Sequence, residues 1–255
     1  MRPAAALALL LLAGPAAAES PLLALPGFPD YAVLGVGSGP ARIGDEDRLW
    51  AAVPAARKSF GQRYVSLEAN YLSINLSRQP GFQAGPAGIL RFGREEAEDE
   101  NGRALDDIPI SVGLGGFVAW ETGGPDPRDR WRAGLGLLQD ATGADGGHVA
   151  DLSLRRWFPV GRYALFGIGA AASWASGNYM DTYFSTDAGG GASGYDADAG
   201  WRDARITAVF VQPVSEKWAI GAGMMYSRLL GEAADSPATL SADQIYAGLG
   251  IARSW

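Results

Sequence analysis

One histidine, His148, stands in the segment Gly146-Gly147-His148-Val149-Ala150-Asp151, and the 255-residue chain has no cysteine. Any Ser–His dyad or histidine-based metal centre must therefore use His148. A protein zinc site needs three or four ligands, and a lone histidine among scattered acids makes a poor one. An acyl hydrolase pairing His148 with Ser153 is a conceivable arrangement. Alternation of residue types, however, puts Ser153 on the inner side of its segment, whereas a lipid-cleaving site must open toward the bilayer. His148 is accordingly read as the first residue of a strand at an outer rim. No catalytic residue, metal ligand or cofactor site is assigned.

Two further segments invite a chemical reading. Gly35-Val36-Gly37-Ser38-Gly39-Pro40 is glycine-rich, but Pro40 and the following Asp45-Glu46-Asp47 suit neither a helix start nor an anion. A loop or strand end explains it better. The acidic run Arg94-Glu95-Glu96-Ala97-Glu98-Asp99-Glu100 reads as a solvated loop, or as a site for divalent cations near lipopolysaccharide. Glu68, Arg91, Arg132, Asp151, Arg155 and Arg205 fall on the parity opposite to the apolar side chains of their segments. A dry sandwich core would not hold such charges unpaired, but a hydrated barrel lumen would. They either pair into a network that plugs the lumen or line a narrow path through it.

The elements that carry these residues alternate with period two. Trp218, Ile220, Ala222, Met224 and Tyr226 share a face opposite Ala219, Gly221, Gly223 and Ser227. Aromatics at both ends with aliphatics between suit a lipid-facing strand, because aromatic rings prefer the two interfaces. The same pattern predicts strands over 31–37, 48–56, 63–69, 71–77, 82–93, 109–120, 130–138, 148–158, 162–174, 200–212, 217–228 and 244–255. Between Leu67 and Leu72 the apolar parity switches, which calls for a turn near Asn70-Tyr71. The fold class expected is all-β, a single antiparallel transmembrane β-barrel of about twelve strands (10–12). An even count puts both termini on the periplasmic side. The links 213–216, 159–161 and 77–81 are then the short periplasmic turns, while 94–108, 175–199 and 229–243 face outward.

Export is the expectation from the N-terminus. Arg2 precedes an apolar stretch from Ala4 to Ala13 that falls short of the ~20 residues a membrane helix needs. Small residues Ala16 and Ala18 follow, as in a cleavable signal peptide over residues 1–18, cut after Ala18. Residues 19–30 form a periplasmic stretch, and the barrel runs over 31–255. With 28 acidic against 21 basic residues and a net charge of −7, nucleic acid is a poor partner. The last segment places Ile245, Ala247, Leu249, Ile251 and the terminal Trp255 on one face. A closing strand that ends on an aromatic residue resembles the signal read by the outer-membrane assembly machinery, and Arg253 can snorkel to the headgroups.

Three segments resemble the MipA/OmpV family of outer-membrane proteins, whose founding member is the MltA-interacting protein. The first contains Tyr179-Met180-Asp181-Thr182-Tyr183-Phe184, Ser193-Gly194-Tyr195 and Trp201-Arg202-Asp203. A second runs Arg228-Leu229-Leu230-Gly231-Glu232-Ala233-Ala234-Asp235-Ser236-Pro237. The third is Gly35-Val36-Gly37 with Gly44-Asp45-Glu46-Asp47. The resemblance implies a barrel of about this length without a catalytic site. It also implies a scaffold that joins a murein hydrolase and a murein synthase to the outer membrane of a Gram-negative bacterium, among its lipids and lipopolysaccharide. A small porin-like diffusion channel is the alternative. Tyr179, Tyr183 and Phe184 can fold over the barrel mouth as a lid, and Asp235-Ser236-Pro237 can form a rigid turn. Contacts with periplasmic enzymes would come from the short turns or from Glu19–Asp30.

Overall fold

The computed structural model describes residues 21, 23–28, 30–187 and 194–255. The expected signal peptide, its cleavage point after Ala18, and Ser193 lie outside the described residues. Twelve strands alternate along the chain: β1 (Tyr31–Pro40), β2 (Arg48–Phe60), β3 (Arg63–Glu68), β4 (Tyr71–Asn75), β5 (Phe82–Arg91) and β6 (Ser111–Gly123) form the first half. The second half holds β7 (Arg130–Asp140), β8 (His148–Val160), β9 (Ala164–Ala175), β10 (Gly200–Pro213), β11 (Trp218–Leu229) and β12 (Asp243–Ser254). Each pairs antiparallel with its neighbours in sequence, and β1 closes on β12 with Tyr31 opposite Ser254. Closure leaves no sheet edge for the barrel as a whole.

Strand alternation fixes the two faces. Leu34, Trp50, Leu114, Leu152, Ile206 and Leu249 all point outward and are more than half exposed. So broad an apolar exterior would be untenable in water but is the surface a bilayer requires. Aromatic residues mark its two borders: Trp120, Trp131, Trp218 and Tyr163 near one end, Trp50, Trp201 and Tyr226 near the other. Arg253 lies on this outer surface with its guanidinium 5.7 Å from the Trp218 ring.

The connections divide the barrel into a short-turn end, which carries the start of β1 and the end of β12, and a long-loop end. Links 61–62, 76–81, 124–129, 161–163 and 214–217 are at the first; 41–47, 92–110, 141–147, 176–199 and 230–242 are at the second. The parity switch at residue 70 is the tip of a low hairpin. Ala69 adopts the left-handed region at φ 53, its N–H donates to the Pro54 carbonyl at 2.8 Å, and Asn70 donates to the Leu90 carbonyl at 2.7 Å. Because β3 and β4 stop there, the β2 ladder with β3 begins only at Ala55, opposite Glu68. Residues 48–53 of β2 have a strand partner on the β1 side alone.

Sequence periodicity missed two short helices in the long loops, α1 (Gly177–Phe184) and α2 (Gly231–Asp235). The first buries Tyr179, Met180, Tyr183 and Phe184, a one-sided stripe at helical spacing. A helix this short is unstable by itself and exists because that stripe docks on the barrel. Elsewhere the wall depends on glycine. A Cβ at Gly115 would lie 1.9 Å from the Leu137 carbonyl oxygen on the neighbouring strand. Gly115→Ala is therefore expected to destabilise the refolded barrel by ~1–3 kcal/mol. The urea midpoint measures this, and an unshifted midpoint would contradict so tight an approach.

Candidate functional site

Inside the barrel the inward charges separate into two groups at different heights. Near the long-loop end Asp151 on β8 and Asp203 on β10 flank Arg205, which pairs with both, the contact to Asp203 being 2.6 Å. Arg205 also donates to Ser173 Oγ at 2.8 Å, and that hydroxyl donates to Asp151 at 3.0 Å. Arg202 pairs with Asp203 at 2.7 Å and donates to the Tyr179 hydroxyl at 2.9 Å. Asp151, Arg202, Asp203 and Arg205 are all no more than 3% exposed. Such pairing is what makes buried charges tolerable.

Arg202 escaped the sequence reading because alternation assigns it outward. The register shifts between Trp201 and Asp203, so a bulge turns Arg202 and Asp203 inward together. Two adjacent opposite charges at the start of a strand were the available signal.

Above this network α1 lies across the mouth. Tyr179 and Tyr183 stack with ring centroids 4.4 Å apart, and the Arg91 and Arg202 guanidinium groups sit 5.5 and 5.3 Å from the Tyr179 ring. Burial pushes the Tyr183 phenol above its usual pKa. Met180 and Phe184 complete a buried cluster with Ile108, Val149, Leu229 and Ala233 of α2. Ser236 Oγ donates to the Phe184 carbonyl, and the Pro237 carbonyl accepts from Glu100 N–H at 3.0 Å. Arg94 reaches the Tyr183 carbonyl at 3.1 Å, so the acidic 92–110 loop is laced into the same cover. Of the remaining family-motif residues, Thr182 is half-buried on α1, Gly194 and Asp235 are exposed, and Gly231 opens α2 at φ 48. Asp235-Ser236-Pro237 turns the chain out of α2, with Ser236 Oγ accepting from Ala238 N–H at 3.1 Å.

At the opposite end Leu23 to Leu25, from the chain preceding β1, enter the lumen. Glu68, inward on β3 and 5% exposed, accepts from the Leu23 and Ala24 backbone N–H groups at 2.5 and 2.9 Å. Leu25 is buried against Tyr31, Trp157, Leu165, Val211 and Ala219. Asp30 anchors the base of this segment: it pairs with Lys58 and accepts from Ser59 N–H at 2.7 Å. The Lys58 hydrogen bond, then that of Ser59, hold its carboxyl below the ordinary aspartate pKa. Thus Leu23 to Leu25 are occupied within the lumen and do not present the free stretch that a partner could grasp.

Arg132 and Arg155 share this lower region. Arg132 faces Gln83, with nitrogen-to-oxygen distances of 3.4 Å, and the same Gln83 oxygen accepts from the Tyr64 hydroxyl at 2.8 Å. Arg155 is half-buried against the inner side of Gly169, where Thr207 also reaches. His148 begins β8, is exposed, and lies 5.8 Å from the Trp174 ring. Ser153 instead points inward, 3.5 Å from the Gly134 carbonyl. The two do not meet, so the conceivable hydrolase dyad is not assembled. Among the described residues no three His, Cys, Asp or Glu side chains converge as a metal site.

A family model described as MltA-interacting protein MipA matches residues 32–255. No curated protein matches the chain. Solved structures similar to it include an outer membrane channel from Pseudomonas putida F1, at 12% identity and a TM-score of 0.48, covering 93% of this chain and all of that one. The in-vitro folded OmpT outer membrane protein of Vibrio cholerae is 7% identical with a TM-score of 0.42, covering 89% of this chain and 96% of its own. The translocator domain of autotransporter NalP from Neisseria meningitidis is 11% identical with a TM-score of 0.41, covering 91% of each chain.

Proposed function

Since the chain belongs to the family of MltA-interacting protein MipA, we propose that this outer-membrane barrel is a closed scaffold that holds murein-remodelling enzymes at the membrane. The observation that carries the reading is the double closure of its lumen. The cover formed by α1 and α2 packs over one end, the segment bonded to Glu68 enters the other, and a buried ion network stands between. A diffusion channel keeps a water-filled bore, whereas a scaffold has no use for one. The short-turn end faces the periplasm in this proposal, and a signal peptide cleaved after Ala18 delivers the chain there. The assembly machinery engages β12 through its terminal aromatic residue.

With Leu23 to Leu25 drawn inside, the surface left for a periplasmic partner is the ring of short turns. Phe60, Tyr163 and Val214 are each more than half exposed there. Aromatic residues beside apolar ones suit protein contact. Co-isolation from native envelopes with the tagged full chain is expected to enrich a murein hydrolase and a murein synthase. A triple variant, Phe60→Ser, Tyr163→Ser and Val214→Ser, is expected to lose them while keeping heat-modifiable migration. Repeated recovery of no murein enzyme would sink the scaffold reading. In planar bilayers the wild-type barrel is expected to be silent; discrete conductance steps would favour the porin-like alternative.

A further inference from the structure

Between the two closures lies a cavity of about 210 Å³ whose walls are almost entirely apolar. Midway along β1, β11 and β12 the inner side is bare glycine: Gly35 and Gly37, Gly221 and Gly223, Gly248 and Gly250. Val53, Val209 and Met225 are among the inward side chains that supply the remainder. Among the described residues Glu68 is the only charged one along the wall, and its two oxygens are engaged by Leu23 and Ala24. The polar side chains along it, Ser38, Asn70, Thr207 and Tyr246 beside Glu68, make up little of its surface, and an apolar cavity of roughly 150 Å³ already takes up benzene. A lumen built to be wet would be lined with polar side chains; this part of it is not.

The α1 and α2 cover packs over one end and Leu23 to Leu25 enter from the other, but the wall between them is incomplete. The β3–β4 hairpin ends at Ala69-Asn70, and β2 above Pro54 lacks a partner on that side. Val53, Ala69 and Asn70 border this gap and also line the cavity. Outside the gap, Trp50 on β2 is 73% exposed on the membrane face. We infer that the lumen takes up a small uncharged hydrophobic molecule, of about the size of a single aromatic ring, from the bilayer through the gap beside β2. A charged ligand is disfavoured because no described residue along the wall offers a free counter-charge.

The test uses the full mature barrel in lipid nanodiscs, free of competing detergent, with fluorobenzene as the probe and fluorine NMR as the readout. A saturable bound signal is expected over the linear lipid partition. Gly223→Phe should weaken it at least tenfold, because a Cβ at Gly223 meets nothing closer than 3.6 Å and the ring would occupy the cavity. Ile206→Phe, on the outward face of β10 and away from the cavity lining, should bind as the wild type does. If Gly223→Phe does not refold, Val209→Phe fills the same space from β10 and carries the same expectation. Linear partition alone in the wild type, or undiminished saturable binding in a folded cavity-filling variant, would overturn the inference.

Discussion

Replacing Arg205 by alanine is expected to destabilise the barrel by about 3–5 kcal/mol, the usual consequence of removing one partner from a buried ionic group. Asp151 and Asp203 would be left facing each other, 1% and 2% exposed, with no guanidinium between them. Arg202 would remain on Asp203 at 2.7 Å, so Asp151 bears most of the loss. The effect would spread upward, because Arg202 also holds the Tyr179 hydroxyl beneath α1. Urea unfolding of the vesicle-inserted barrel measures the change, with hydrogen exchange in α1 reporting the cover. A second variant separates charge from shape: Asp151→Leu with Asp203→Leu and Arg205→Met removes the charges around Arg205 together. Replacing a buried ion group by apolar residues is often neutral, so this triple variant should be more stable than Arg205→Ala. A loss below ~1 kcal/mol in the single variant would show that water already reaches the network.

Glu68→Ala addresses the other closure. Each hydrogen bond to a charged group contributes about 1.5–3 kcal/mol, and this substitution deletes the two that hold Leu23 and Ala24. Exchange at those two amides is expected to rise at least about tenfold, since 1.4 kcal/mol is a factor of ten. Leu25 remains as a hydrophobic anchor against Trp157 and Leu165, so full release requires Leu25→Ser as well. The double variant should expose residues 21–30 to added protease while the α1 cover stays protected. Protection of the segment undiminished in the double variant would mean that other contacts hold it in place.

The two expected results differ in how far the sequence foretold them. Asp151 and Arg205 can be placed inside by parity alone, because a pleated strand sends successive side chains to opposite faces whatever the neighbouring strand is. The same local rule gave Leu34, Leu152 and Leu249 their lipid-facing side, and the switch at residue 70 its turn. Parity failed at Arg202, where a bulge adds one residue, and it could not anticipate Glu68 receiving a segment forty-odd residues earlier in the chain. The helical stripe of Tyr179, Met180, Tyr183 and Phe184 was present in the sequence, but its burial depends on a mouth to cover.

By itself, then, the sequence determined a barrel of about twelve strands, its two faces and the sign of the charges turned inward, because all three follow from period-two sterics and from the solvents on each side. Only the tertiary structure decided which inward residues meet, that the chain before β1 fills its own lumen, and that one stretch of inner wall is apolar and unroofed beside β2. Those outcomes depend on the register in which β1 meets β12 and on where β3 and β4 stop. Closure of a barrel sets the height and the bearing of every inward side chain at once, and no local pattern along the chain carries that information.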